Sequence, residues 1–338
     1  MRPLRPIALA AGAMLACEAA ADAPLSYLHT EGAAADPVTR LGWGLGAIAI
    51  IVVIAISVFL LLAILRSRGR DAPRSSSPAP VERDAAGLRI VYVGTGISAV
   101  VLFACAIWTL NTLAQVARAP AQPAFTIEVT AHQWWWELRY LDPQPARIFT
   151  TANEIHIPVG QPVRFALHSE DVIHSFWIPR LAGKTDVIPG QVNQTWLEAS
   201  HAGVYRGQCA EYCGLQHAHM ALVVVADAPA DFARWRDAQL AEARPAAAAV
   251  LAGHDVFKER CAACHTVRGG QTGGIIGPDL THVMSRGTLA AATLPNDPGT
   301  LKAWIADAPA FKPGTRMPAL KLPDGELTAV AAYVQTLK

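Results

Sequence analysis

Charge is what this sequence has least of. Of its 338 residues only 16% are Asp, Glu, Lys or Arg, and the formal net charge is +1. A chain so close to neutral lacks the basic excess that binding to a polyanion demands, so no nucleic-acid partner is expected. Sulfur is also sparse, with six cysteines and five methionines. Because these soft ligands are few, their grouping carries information. Four cysteines fall into two close pairs, Cys209 with Cys213 and Cys261 with Cys264. Cys105 sits inside an apolar run, where a lone thiol behaves as a small inert hydrophobe.

The scarcity of charge is concentrated near the N-terminus. Residues 41–65, "LGWGLGAIAIIVVIAISVFLLLAIL", contain none. A bilayer core of ~30 Å needs about 20 helical residues, so this stretch is long enough to span. A second uncharged run covers 90–117, with Tyr92 and Trp108 near its ends as interfacial anchors. The intervening loop, 66–89, carries Arg66, Arg68, Arg70, Arg74, Arg83 and Arg89 beside a Ser/Pro-rich patch. The positive-inside rule puts that loop in the cytoplasm and everything after Arg118 outside. A transmembrane hairpin over 36–118 is the expectation.

Residues 1–22 read as a signal peptide, with Arg2 and Arg5 before the apolar run "IALAAGAMLA". Cys17 at its end leaves two readings open, a lipid-modified first residue or ordinary cleavage after a small residue. Signal, hairpin and outer bulk together describe a two-pass bacterial inner-membrane protein with its folded mass in the periplasm. In that oxidising space two disulfides are the plain reading of the cysteine pairs. Their neighbours have to decide.

"RCAACHTV" holds Cys261, Cys264 and His265 in the C-x-x-C-H pattern of c-type haem attachment. Two thioethers tether the porphyrin and the adjacent imidazole becomes the iron's proximal ligand. For the distal ligand, Met317 lies in "KPGTRMPAL", a turn-rich loop that can lay a thioether across a haem face. Met284, in "LTHVMSRG", fits a short helix filling a core instead.

"QCAEYCGLQHAHM" packs Cys209, Cys213, His217 and Met220 into one short loop. Structural zinc rarely recruits a thioether, whereas copper takes thiolate, imidazole and a weak axial Met. A single-copper blue site needs one Cys, and two on a loop can bridge two copper ions. The missing imidazole is supplied by His174 of "EDVIHSFWIP", expected to close a strand. Residues 119–226 read as short strands, among them "AFTIEVTAHQWWWELRY", "NEIHIPVGQPVRFALHS", "NQTWLEAS" and "HMALVVVAD", without a helical pattern between them. An antiparallel β-sandwich follows.

The hairpin, "HQWWWELRY", "DVIHSFWIPRLAGKTDVIPG" and C-x-E-x-C-x-x-x-H-x-x-M resemble subunit II of haem-copper cytochrome c oxidases across residues 36–226. Residues 250–338, with Gly277-Pro278-Asp279-Leu280 and Met317, resemble a class I cytochrome c, which makes the whole similar to the caa-type variant. The resemblance implies a multidomain chain: signal peptide 1–22, transmembrane hairpin 36–118, an all-β cupredoxin-like Greek-key sandwich at 119–226, a linker at 227–249 and an all-α cytochrome c domain at 250–338. It implies a binuclear CuA centre on His174, Cys209, Cys213, His217 and Met220, with the main-chain oxygen of Glu211. It further implies magnesium near the Glu211 carboxylate, shared with subunit I, and Trp134 as the point where electrons enter. His219 has no ligand role in the family, and His132, His156, His168, His201, His254 and His282 are expected to be solvated or hydrogen-bonded.

The implied function is an electron relay from a donor cytochrome c or cytochrome bc complex, through haem c and CuA, to subunit I. There oxygen becomes water and protons are moved, and subunit III is a further expected partner. A quinol oxidase subunit lacks the copper ligands, and a nitrous oxide reductase would carry a large propeller domain. A CuA-bearing subunit of a nitric oxide reductase, or a membrane-anchored carrier serving several partners, stays open. Residues 120–222 hold nine Asp/Glu against six Lys/Arg, and 250–338 hold nine Lys/Arg against seven Asp/Glu. Opposite charge and the Ala-rich linker predict a haem domain that swings on a tether between its donor and the copper face.

Overall fold

The structure is a computed structural model that describes residues 24–67, 85–118, 120–243, 247–270 and 272–338. The signal-peptide reading, Cys17 and most of the arginine loop lie outside the described residues. By contacts the chain divides into 37–118 and the remainder.

The first unit is two long helices, α1 (Asp36–Ser67) and α2 (Ala85–Ala117). Their mean hydropathies over the spanning windows are 3.5 and 2.3, and both are long and apolar enough to cross a membrane. Apolar side chains project all round, from Ile51 and Phe59 on α1 to Val100 and Leu102 on α2. That all-round pattern suits lipid rather than one-sided burial. The two helices approach closely at Gly44, where a Cβ would lie 2.2 Å from the Trp108 ring. Small residues are what permit such approaches between membrane helices.

In the second unit, residues 126–227 form a β-sandwich. One sheet has the order β3-β2-β1-β5-β8, with β1 (Thr126–His132), β2 (Trp135–Tyr140), β3 (Phe149–Ala152), β5 (Val163–Ser169) and β8 (Asn193–Leu197). The other has the order β4-β10-β9, with β4 (Glu154–Pro158), β9 (Gly203–Gln208) and β10 (Ala221–Asp227). A short ribbon pairs β6 (His174–Phe176) with β7 (Thr185–Val187). Alternation drives the layering: in β1, Ile127, Val129 and Ala131 point inward between half-exposed neighbours. Between the sheets sit Trp136, Tyr140, Phe165, Phe176, Ile155 and Ile157, all at most 1% exposed. The Tyr140 hydroxyl crosses from β2 to β4, donating to His156 O (3.0 Å) and accepting from His156 N (2.8 Å).

The sandwich departs from the antiparallel expectation. β1 with β5 and β4 with β10 are parallel pairs, so the sheets are mixed. Two segments expected as single strands each break in two, at Gln133–Trp134 and at Val159–Pro162.

In the expected linker, 227–249, the helical turn or more anticipated before Pro245 is present. Residues 229–240 form a helix, α3 (Pro229–Leu240), started by Pro229 at its first turn. Phe232 is buried in the sandwich core, and Trp235 stacks on the His156 ring at 4.1 Å. The far end of α3 is held by the next domain: Arg268 Nη2 donates to Gln239 O (2.7 Å) and Ala243 N to Arg268 O (2.9 Å). Residues 229–240 are thus a packed helical strut.

The C-terminal domain is helical: α4 (Leu251–Arg260), α5 (Pro298–Ala306), α6 (Ala308–Phe311) and α7 (Asp324–Val334), with a small hairpin of β11 (Thr288–Leu289) and β12 (Leu294–Pro295). Asp297 caps α5, its carboxylate accepting from the amides of Gly299 and Thr300, with Pro298 at the first helical position. α4 crosses α7 at Gly253, where a Cβ would lie 2.0 Å from the Ala329 carbonyl oxygen.

Candidate metal and haem centres

The loop between β9 and β10 is built around backbone bonds that fold its ends together. Cys209 N donates to Met220 O (2.9 Å), closing the loop on itself. Gln208 N donates to Trp177 O and Ala210 N to Ser175 O, which brings β6 alongside. His174 therefore opens β6 rather than closing a strand, and its ring faces the loop from outside it.

Every expected copper ligand converges there. Cys209 Sγ lies 3.9 Å from His174 Nδ1, 3.8 Å from Cys213 Sγ and 3.2 Å from the Glu211 carbonyl oxygen. Cys213 Sγ lies 3.7 Å from His217 Nδ1 and 3.8 Å from Met220 Sδ. Both cysteines are free, and sulfurs so far apart are not bonded, since a disulfide needs ~2.05 Å. His174, Cys209, Cys213 and Met220 are buried, His217 and Glu211 half-buried. His174 Nε2–H donates to Asp171 Oδ1 (2.8 Å), which frees Nδ1 for the sulfur side. Asp171 is in turn fixed by the Gln133 amide (2.7 Å). The contact with Cys213 pulls the Cys209 thiol well down, while the same contact and burial push Cys213 up. A cation at the sulfurs would favour the thiolate form of both. Two thiol sulfurs 3.8 Å apart, flanked by two Nδ1 atoms, a thioether and a carbonyl, fit copper.

The Glu211 carboxylate points elsewhere, 43% exposed and 4.0 Å from Lys184 Nζ. His219 takes no part in the cluster; its Nδ1 contacts Gln216 Oε1 (2.8 Å) and its ring is exposed.

In the helical domain a cavity is lined by Cys261, Cys264, His265 and Met317 over a floor of apolar side chains that includes Phe257, Leu280 and Val330. His265 Nδ1–H donates to Pro278 O (2.8 Å), leaving Nε2 to the cavity. Burial holds the His265 pKa down, which keeps the imidazole neutral and able to ligate. Met284 is not among the lining residues and packs instead against the domain core. The chemistry of this lining fits a covalently attached haem.

The three tryptophans separate. Trp136 is core, edge-on to His174 with ring centroids 6.0 Å apart. Trp135 stacks on His132 at 4.4 Å. Trp134 lines the haem cavity, and its Nε1–H donates to Cys213 O (2.9 Å).

Residues 125–227 match the family described as cytochrome C oxidase subunit II, periplasmic domain, and residues 250–338 match cytochrome c. A region similar to the subunit II periplasmic domain is thus followed by one similar to cytochrome c. The chain is 40% identical over 215 residues to cytochrome c oxidase subunit 2 of Alkalihalophilus pseudofirmus, a match covering 63% of this chain and 61% of that one. It is 32% identical over 232 residues to cytochrome c oxidase subunit 2 of Bacillus subtilis, covering 64% of each. It thus spans under two thirds of the length of these curated relatives. Among solved structures, the periplasmic domain of subunit II of cytochrome oxidase of Bradyrhizobium japonicum matches at 31% identity with a TM-score of 0.33, covering 36% of this chain and 96% of that one.

Sequence reasoning missed Asp171 and Lys312 at these sites. Asp171 had a signal, a carboxylate three residues before a metal-binding imidazole. Lys312 had none, because its partners lie in the subunit II domain: the Nζ donates to Trp134 O (2.8 Å) and His219 O (2.9 Å).

Proposed function

We propose that this chain receives electrons for a respiratory terminal oxidase, taking them from a donor cytochrome and handing them to subunit I, where oxygen is reduced to water with coupled proton translocation. The carrying observation is Trp134, which lines the candidate haem cavity and hydrogen-bonds the Cys213 carbonyl with its indole N–H. One aromatic side chain thereby joins the two candidate redox sites.

Cys261 and Cys264 would tether a haem, and His265 and Met317 would ligate its iron. His174, Cys209, the Glu211 carbonyl, Cys213, His217 and Met220 would hold a binuclear CuA centre. Bound there, the two groups supply the one-electron couples that such a relay needs. The protein's own part is geometric and electrostatic. Asp171 fixes the His174 ring so that Nδ1 faces the sulfurs, and Pro278 O fixes the His265 ring so that Nε2 faces the cavity. Burial excludes water from both sulfurs. The Glu211 carboxylate, 43% exposed beside Lys184 Nζ, would meet magnesium at a boundary with subunit I. In this reading the helix pair anchors the chain in the inner membrane, and both cofactor domains face the periplasm.

The test is purification from native membranes. Two coppers and one covalent haem per chain, with a co-purifying large subunit that contains haem a, are expected. One copper with a blue-type spectrum would defeat the binuclear centre. A large partner without haem a would defeat the oxidase assignment in favour of a nitric oxide reductase.

A further inference from the structure

The cytochrome domain meets the subunit II domain through the tip of the β11–β12 hairpin and through the 312–317 loop. Ala290, Ala291, Lys312 and Met317 in these two segments also line the candidate haem cavity, so the contact borders that site while joining the domains. Ala290, Ala291 and Ala292 have φ values of 53°, 59° and 55°, three consecutive residues in the left-handed region. Side chains with a Cβ disfavour that region, and such strain persists only where the surroundings impose it. The carbonyls show what imposes it. Ala291 O accepts from Ala221 N (3.2 Å) and Ala292 O from Arg206 Nη1 (3.0 Å), both on the subunit II domain. Ala290 O accepts from Lys312 Nζ (3.2 Å).

Lys312 is the second oddity. It is 3% exposed and has no carboxylate partner among the described residues. An ammonium has three donors, and all three are used on backbone carbonyls: Trp134 O, His219 O and Ala290 O. Two of these belong to the subunit II domain and the third to the strained turn. A buried cation is costly unless fully hydrogen-bonded, and only the docked arrangement presents these carbonyls together. Around it, Thr293 Oγ1 donates to His219 O (3.1 Å) and Gln216 Nε2 to Pro313 O (2.9 Å).

We propose that Lys312 is a docking latch, a positioning residue that locks the Ala290–Ala292 turn and the Met317 loop onto the Trp134 turn. The electron step between domains then runs in a standing complex, with no search by a swinging domain. This last clause rests on the electron-transfer function proposed above; the latch itself does not.

The test uses the full chain in detergent and the variant Lys312→Met, which keeps the methylene stem. Peptide-resolved hydrogen exchange reports docking through two amides bonded across the interface, Ala221 N to Ala291 O and Gly287 N to Glu154 Oε2 (2.7 Å). Peptides holding these amides should exchange at least ten-fold faster in the variant, with β1 peptides unchanged. Flash-initiated electron transfer between the domains should slow at least ten-fold and become viscosity-dependent, while the wild type stays viscosity-independent. Unchanged exchange at Ala221 and Gly287 overturns the latch. If β1 also loses protection, Lys312→Gln, which keeps two donors, should give intermediate exchange at the interface with β1 intact. Loss of β1 protection in both variants makes Lys312 a residue of global folding and equally overturns the proposal. A wild type without copper or haem would sink the functional reading alone, because exchange still decides the latch.

Discussion

At the scale of single residues, each site depends on one side chain holding another in a fixed orientation. Trp134→Phe keeps an aromatic ring but removes the bond to Cys213 O, at a cost of about 1 kcal/mol in stability. Electron transfer between the domains should slow in this variant, and flash kinetics beside a denaturant titration will separate the two effects. Met317→Leu should abolish the low-spin Met-ligated haem spectrum, and Met284→Leu should leave it intact, because only Met317 lines the cavity. Glycine matters at Gly277, where a Cβ would lie 2.6 Å from His265 Cε1. Gly277→Ala should therefore tilt the imbidazole-bearing loop away from Pro278 O, lowering the covalent haem content measured against polypeptide. The copper loop should be untouched by that change, since it lies in a different core.

Among secondary-structure elements, the α4–α7 crossing organises the cytochrome domain and α3 organises its attachment. The close approach at Gly253 is to backbone, which cannot give way as a flexible side chain can. Gly253→Val should destabilise the cytochrome domain by about 3 kcal/mol through overpacking. The domain's denaturant midpoint, followed by haem absorbance, should fall while the sandwich midpoint holds. For α3, Phe232→Ala removes a ring that is 7% exposed and should cost about 3 kcal/mol. Rapid proteolysis near residues 241–249 would then report a strut that has come away from β4 and β10.

For the molecule as a whole, the structure shows the cytochrome domain in contact with the sandwich, one of the two positions expected of a charge-steered swinging domain. Among the described residues, the contacts that join the domains are mainly hydrogen bonds to backbone carbonyls, with one long ion pair, Arg316 to Asp171 at 3.9 Å. Salt screens exposed charges far more than buried hydrogen bonds, so raising ionic strength should leave interdomain exchange protection nearly unchanged. Reduction of the haem by an external cytochrome should slow with salt. Copper should stabilise the sandwich by mass action, about 4 kcal/mol at a thousand-fold excess over its Kd. Chelation should lower the sandwich transition in a thermal scan and spare the cytochrome transition.

The sequence alone determined the parts whose chemistry is local. Cys261, Cys264 and His265 are adjacent, and Cys209, Cys213, His217 and Met220 share one loop, so spacing alone proposes their ligand sets. The two apolar runs needed only length and composition to be read as candidate membrane spans. Tertiary structure decided what depends on distant segments meeting. Parallel pairing of β1 with β5 and β4 with β10 is invisible to a period-two pattern, which is the same for either direction. Asp171 acquires its role only once β6 lies beside the copper loop. Lys312 looks like any surface lysine until three carbonyls from two domains surround it, because a side chain's hydrogen-bond partners across an interface are set by docking and leave no periodicity in the chain.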